Sequence, residues 1–334
     1  MKKIIQPFPE LLPMSQELFA YFSGCKIGVL DIETTGLSPF RNKVILGGLI
    51  SYEPSGQGIL HQYFAENPIE EPLLIEAYLH AMKDLDVLIS YNGRGFDLPF
   101  IEARAKALNI PFPGWPYHLD LYLLIQKSSD LRKRLPNLKQ KTVEDYLGLW
   151  IHREDRISGG ESVSLYEEYV VSGEQALAEK VLLHNQDDLK QLSRLLKITE
   201  KCDLSQGLFH LGFPVSPELF VTQIHFRSHY LEVAGIQHRN PIGYYSFGDM
   251  DQSVKIAFDG TENTFQLAFP LFRKAQGLFV DLFSLGLPQE AFENQEGFES
   301  GFLILREKEN TNYPLINQLI RQLVQKIRKE MEEQ

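Results

Sequence analysis

The chain carries an apolar run, Ile27 to Leu30, that ends in two acidic residues two positions apart, Asp31 and Glu33. The run predicts a buried strand over 27–33. Two further strands are predicted over 43–52 and 58–65, set off by Ser38-Pro39 and Pro54-Ser55-Gly56. Their short connections imply an antiparallel meander of three strands. Helical spacing over 70–83 (Leu73, Leu74, Ala77, Tyr78, Ala81) is followed by a buried strand over 86–91 and a helix over 97–108. Beyond His118-Leu119-Asp120 the pattern is mostly helical to about 198, with a long helix over 174–196. Residues 1–22, with Leu11, Leu12, Leu18, Phe19 and Phe22, read as a helical lead-in. This order predicts an α/β fold: a mixed sheet of three antiparallel strands then parallel strands, with flanking helices.

Near residue 201 the pattern changes. Short strands are predicted over 222–226, 230–233, 243–247, 253–258, 264–269 and 278–282, then over 302–306. A last helix over 315–332 carries Leu315, Leu319, Leu323 and Ile327. Three parts are therefore expected: the lead-in 1–22, an α/β domain 23–200 and a C-terminal β-rich α+β domain 201–334. The 334 residues suffice for two domains.

A net charge of -11 argues against a protein that coats nucleic acid non-specifically. It leaves room for an enzyme that grips a short piece of it. No apolar span approaches the roughly 20 residues needed to cross a bilayer, so no membrane is expected as a partner. The N-terminus lacks a sustained apolar segment, and no signal peptide is expected. Cys25 and Cys202 make no metal-ligand spacing, so a cytoplasmic location is expected.

Asp31 and Glu33 lie two apart on a strand, so they share a face. Side by side near a core, they repel each other and lose hydration, and a hard divalent cation would relieve both costs. A second acidic position, Asp97, stands where a helix begins after Asn92-Gly93. It can be read as a helix cap or as a ligand facing a metal, and one carboxylate can do both. A third site is His184 with Asp188, four apart and so on one helix face. Alone, that pair reads as a solvent-edge hydrogen bond.

Together the three sites resemble the DEDD group of metal-dependent 3′–5′ exonucleases, of ribonuclease H-like fold. Asp31-x-Glu33 followed by Thr34-Thr35-Gly36-Leu37, then Asn92-x-x-x-Phe96-Asp97, then His184-x-x-x-Asp188 match its three motifs in order. The resemblance covers about 27–196, and it is most similar to bacterial stand-alone ribonuclease H-like proteins. One departure is that the family has Tyr four residues before the last Asp or His five before it, whereas this chain has His at the Tyr spacing.

The resemblance implies two divalent ions, Mg²⁺ or Mn²⁺, held by Asp31, Glu33, Asp97 and Asp188. His184 would then be a general base or a group that orients water. It also implies that Thr34, Thr35, Gly36 and Leu37, with Asn92 and Phe96, contact a single-stranded 3′ end of DNA or RNA. The expected activity is hydrolysis of terminal phosphodiester bonds by a two-metal mechanism. The competing readings are a catalytically silent nucleic-acid-binding or scaffolding module and a structure-selective endonuclease.

The basic run Lys127, Arg132, Lys133, Arg134, Lys139, Lys141 is solvated surface or a phosphate contact, with Arg132 and Lys133 at its centre. Asp187 reads as solvent-facing or behind the site, Asp120 as a helix cap, and Glu144 and Asp145 as an ordinary helix face. Phe226, Tyr230, Tyr244, Tyr245 and Phe247 read as sheet core rather than base-stacking groups. The C-terminal domain carries no recognised motif and is a candidate surface for a protein partner.

Overall fold

The computed structural model describes residues 1–149, 157–246, 254–274 and 277–333. The chain divides into two units, Met1–Cys202 and Asp203–Gln334. In the first unit six strands form one sheet: β1 (Lys2–Phe8), β2 (Ile27–Thr34), β3 (Val44–Tyr52), β4 (Gly58–Phe64), β5 (Val87–Ser90) and β6 (Tyr117–Asp120). Their order is β1-β4-β3-β2-β5-β6. β2, β3 and β4 form the antiparallel meander, and β5 and β6 continue from β2 in parallel. This is the mixed α/β sheet expected.

Among the described residues this unit has eight α-helices: α1 (Gln16–Phe22), α2 (Glu71–Met82), α3 (Asp97–Ala107), α4 (Leu121–Ser128), α5 (Leu131–Arg134), α6 (Gln140–Tyr146), α7 (Gly159–Ser172) and α8 (Gln175–Leu195). Leu30 and Ile32 of β2 pack with Leu74, Tyr78 and Ile101 of α2 and α3. Tyr166, Leu177 and Val181 of α7 and α8 pack with Leu46 and Phe64 in a second core. Strand alternation therefore turns Asp31 and Glu33 away from the α2–α3 core.

The expectation that residues 1–22 are a helical lead-in is corrected in part. Only Gln16–Phe22 is helical, and Lys2–Phe8 pairs antiparallel with β4. The partner lies more than fifty residues away, so no local pattern announces it. Pro7 is tolerated because β1 is an edge strand with a free side.

The second unit opens with α9 (Leu204–Leu211). A six-stranded antiparallel sheet follows, made of β7 (Phe213–Ser216), β8 (Leu219–Phe226), β9 (Tyr230–Gln237), β10 (Tyr244–Ser246), β11 (Lys255–Asp259) and β12 (Thr264–Pro270). A smaller sheet contains β13 (Phe272–Lys274), β14 (Gly277–Asp281), β15 (Phe298–Glu299), β16 (Phe302–Glu307) and β17 (Asn310–Thr311). The final helix, α10 (Tyr313–Glu332), buries Leu315, Leu319, Leu323 and Ile327. Its buried Asn317 donates to the Ser205 carbonyl at 2.9 Å.

The sheet-core reading of the aromatics fails for Tyr245, which is exposed on β10, whereas Phe226 is half-buried against Phe209. Phe247 and Ser253, at the ends of predicted strands, lie outside the described residues. Among the described residues no helix is long and apolar enough to cross a membrane.

Candidate active site

Three elements bring the acidic residues together. β2 supplies Asp31 and Glu33, and the β2–β3 ladder shifts register between Glu33 and Thr34. Such a bulge re-aims side chains at a strand end. α3 supplies Asp97 as its first residue. α8 supplies buried His184 and half-buried Asp188.

His184 Nε2 lies 3.6 Å from Glu33 Oε1 and 3.7 Å from Asp188 Oδ2. These three groups offer ligand atoms all within 4.8 Å of one another. The solvent-edge reading of the His184–Asp188 pair is thus replaced, since His184 is only 2% exposed. Asp97 does not act as a side-chain cap of its helix. Its Oδ1 accepts from the Ile32 amide of β2 at 3.3 Å, which ties the start of α3 to the acidic strand.

Electrostatics carry the mark of this crowding. Burial, then the charges of Asp188, Asp97 and Glu33, raise the Asp31 carboxyl well above its ordinary range. The Glu33 carboxyl is pushed up to about 7, chiefly by burial and further by Asp188 and Asp97, while His184 pulls the other way. Burial also pushes Asp97 up to about 7, partly offset by the amide hydrogen bonds of Asp97 and Ile32. Each carboxylate is held where its charged form is disfavoured, and a cation would reverse that sign. The donor set of hard oxygens and one imidazole suits a divalent ion such as Mg²⁺ or Mn²⁺.

Asn185, inside the stretch of the third motif, and Gln62, outside every motif, fix this geometry. Asn185 Nδ2 donates to Asp31 Oδ2 at 3.0 Å, and its Oδ1 accepts from Gln62 Nε2 at 3.1 Å. Gln62 also donates to the Leu182 carbonyl at 2.8 Å, so a buried amide relay locks Asp31 to α8. Gly48, opposite Asp31 across the ladder, makes the relay possible, because a Cβ there would stand 2.1 Å from Asn185 Oδ1. Its neighbour Gly47 makes room for the Tyr78 ring on the other face. The pair Gly47-Gly48 inside a buried strand is a sequence trace of both contacts.

Asp120 is a cap and more. It accepts from Tyr122 and Leu123 at the start of α4, and also from the Asn92 and Arg94 amides at 2.9 and 3.0 Å. It thereby shapes the turn that delivers Asp97, in which Asn92 adopts φ +63°. Asp187 and Glu144 are both buried, at 2% and 0% exposure, which corrects the solvent-facing reading of the first and the ordinary-helix-face reading of the second. Glu144 accepts from Gln140 Nε2 at 2.9 Å.

The residues expected to touch nucleic acid are spread more widely. Thr34 is buried and its hydroxyl donates to the Gly36 carbonyl. Thr35 and Gly36 are half-buried and Leu37 stands in solvent. Asn92 is exposed, whereas Phe96 is half-buried and packs on Phe100 with ring centroids 5.5 Å apart. Arg132 and Lys133 are exposed on α5.

The loop from Thr35 to Lys43 is held from several sides. The Thr35 amide donates to the Lys43 carbonyl, and Asn42 bridges Thr35 and Ser38. Arg104 Nη1 donates to the Pro39 carbonyl at 3.1 Å, while its other nitrogens clasp buried Glu71 at 2.8 and 2.6 Å. Glu71 also accepts from the Val44 amide.

Comparison with known proteins agrees with this architecture. A family model described as RNase_H superfamily matches residues 29–199, just over half of the chain. An uncharacterized protein of Bacillus subtilis, YprB, is 28% identical over 180 residues, which is 53% of this chain and 42% of that protein. A DNA polymerase of Methanocaldococcus jannaschii is 29% identical over 133 residues, covering 32% of this chain and 8% of the polymerase. The chain thus spans less than half the length of these relatives. A family B DNA polymerase structure from Pyrobaculum calidifontis overlays with a TM-score of 0.43 at 20% identity, over 52% of this chain and 24% of that one. With the mixed sheet, the acidic first strand and the family match in agreement, the chain belongs to the RNase_H superfamily.

Proposed function

We propose that this chain is a cytoplasmic, metal-dependent 3′–5′ exonuclease that removes nucleotides from single-stranded ends of DNA or RNA. The observation that carries the reading is the convergence of Asp31, Glu33, Asp97 and Asp188 from three elements, with the carboxyl groups of Asp31, Glu33 and Asp97 raised by burial and by neighbouring carboxylates. A fold gains nothing from such repulsion unless a cation offsets it.

In this reading Asp31, Glu33, Asp97 and Asp188 would together hold two divalent ions, Glu33 and Asp188 serving the one that activates water and Asp97 the one at the leaving oxygen. Ions bound there supply Lewis-acid activation of water and stabilisation of the leaving 3′-oxygen. Asn185 and Gln62 keep Asp31 in one rotamer. His184, with Nε2 between two carboxylates, takes the proton of the attacking water. Thr34 to Leu37, Asn92 and Phe96 position the terminal nucleotide, and Arg132 and Lys133 serve the phosphate backbone.

The test uses linear and circular single-stranded DNA and RNA in Mn²⁺, with Asp31→Ala and Asp188→Ala as controls. The reading expects monophosphates from labelled 3′ ends, no cutting of circles, and loss of activity in both variants with the fold retained. Cutting of circles would indicate an endonuclease, and full activity in either variant would sink the assignment.

A further inference from the structure

Leu37 and Phe40 are 85% and 89% exposed. A single exposed apolar residue is ordinary. Here two stand on one short loop whose backbone is tied to α3 through Arg104, to α2 through Glu71 by way of Val44, and to itself through Asn42. A loose loop would let such side chains fold back onto the surface, and a tied one holds them out. The loop begins two residues after Glu33, at the C-terminal end of β2, where β2, β5 and β6 run parallel. In open α/β sheets ligands bind outside that end of the strands. Arg41, the next residue, is exposed on the same loop.

We propose that Phe40 is a nucleobase-stacking residue that, with Leu37, forms a rigid platform for single-stranded nucleic acid beside the carboxylate cluster. An exposed ring and an exposed cation on one loop match a base and its phosphate, since every base offers a π-face and aromatic stacking is tolerant of sequence. Apolar protein surface would gain nothing from Arg41. This rests on the nuclease reading of the same site, and it adds a contact upstream of the terminal nucleotide. Arg104 is a positioning residue in this scheme, acting through the Pro39 carbonyl.

The test uses the full chain carrying Asp31→Asn, to prevent turnover, and oligonucleotides with 2-aminopurine at each of the last four 3′ positions. Binding should quench the fluorophore at one position. Phe40→Ala should abolish that quench and weaken binding roughly 5- to 150-fold, while Phe40→Trp preserves both and Phe40→Leu preserves neither. In the active chain, the loss from Phe40→Ala should fall on KM rather than on kcat. Melting temperature should not move, because the side chain packs on almost nothing. Unchanged oligonucleotide affinity in Phe40→Ala, or a Phe40→Leu variant as good as wild type, overturns the proposal. Failure of the nuclease reading shows separately, as cleavage that persists in Asp31→Asn.

Discussion

Replacing Glu33 with Gln should stabilise the metal-free protein, and by an amount that depends on pH. Glu33 is 7% exposed and its carboxyl is raised from 4.5 to about 7. Between those values the folded chain keeps a proton that the unfolded chain releases, so stability falls as pH rises through this window. Taken at face value, the cost is about 1 kcal/mol at pH 5 and about 3 kcal/mol at pH 8. Glutamine has nearly the same shape and no charge, so it escapes this cost at both values. The expected gain is therefore about 2 kcal/mol larger at pH 8 than at pH 5, on the order of 4–8 °C in melting temperature. The assay is thermal unfolding of both proteins in EDTA across pH 5–8, followed by Mn²⁺ addition at pH 8. Mn²⁺ should raise the wild-type melting temperature and reverse the ranking. A variant no more stable than wild type at pH 8, or equally favoured at pH 5, would refute the electrostatic reasoning.

Gly48→Ala should act through Asn185. The added carbon would stand 2.1 Å from Asn185 Oδ1, so the amide must leave Asp31, and hydrolysis should fall at least tenfold with weaker Mn²⁺ binding in calorimetry. Arg104→Ala leaves the carboxylate of Glu71, 1% exposed, without its bidentate partner. It should cost about 3 kcal/mol in urea unfolding, whereas Arg104→Lys should cost less, because it keeps the charge. His184→Ala should lower kcat far more than KM if His184 takes the proton from water.

Much of the fold was legible because its key signals are local. The buried run ending at Asp31, the turn residues of the meander and the apolar stripe of α8 each declare themselves within about ten residues. The missed features depend on distant partners. Lys2–Phe8 becomes a strand only because β4 offers a free edge. Glu144 reads as surface, and Asp187 as surface or behind the site, because acidic residues are rarely buried, and only the packing of their helices decides for burial. Gln62 reaches Asn185 across 123 residues, and Glu71 meets Arg104 across 33, so neither contact has a spacing to recognise. Gly47 and Gly48 were the nearest to a signal, since paired glycines in a core strand mark close approach of other groups.

The central claim is that four carboxylates from β2, α3 and α8 form one two-ion centre. Isothermal calorimetry with Mn²⁺ on the full chain tests it most directly. The account predicts two bound ions per wild-type chain, with proton uptake or release that varies with pH near 7, and loss of at least one ion in both Glu33→Gln and Asp97→Asn. A wild-type chain that binds no Mn²⁺, or variants that bind as the wild type does, would contradict it.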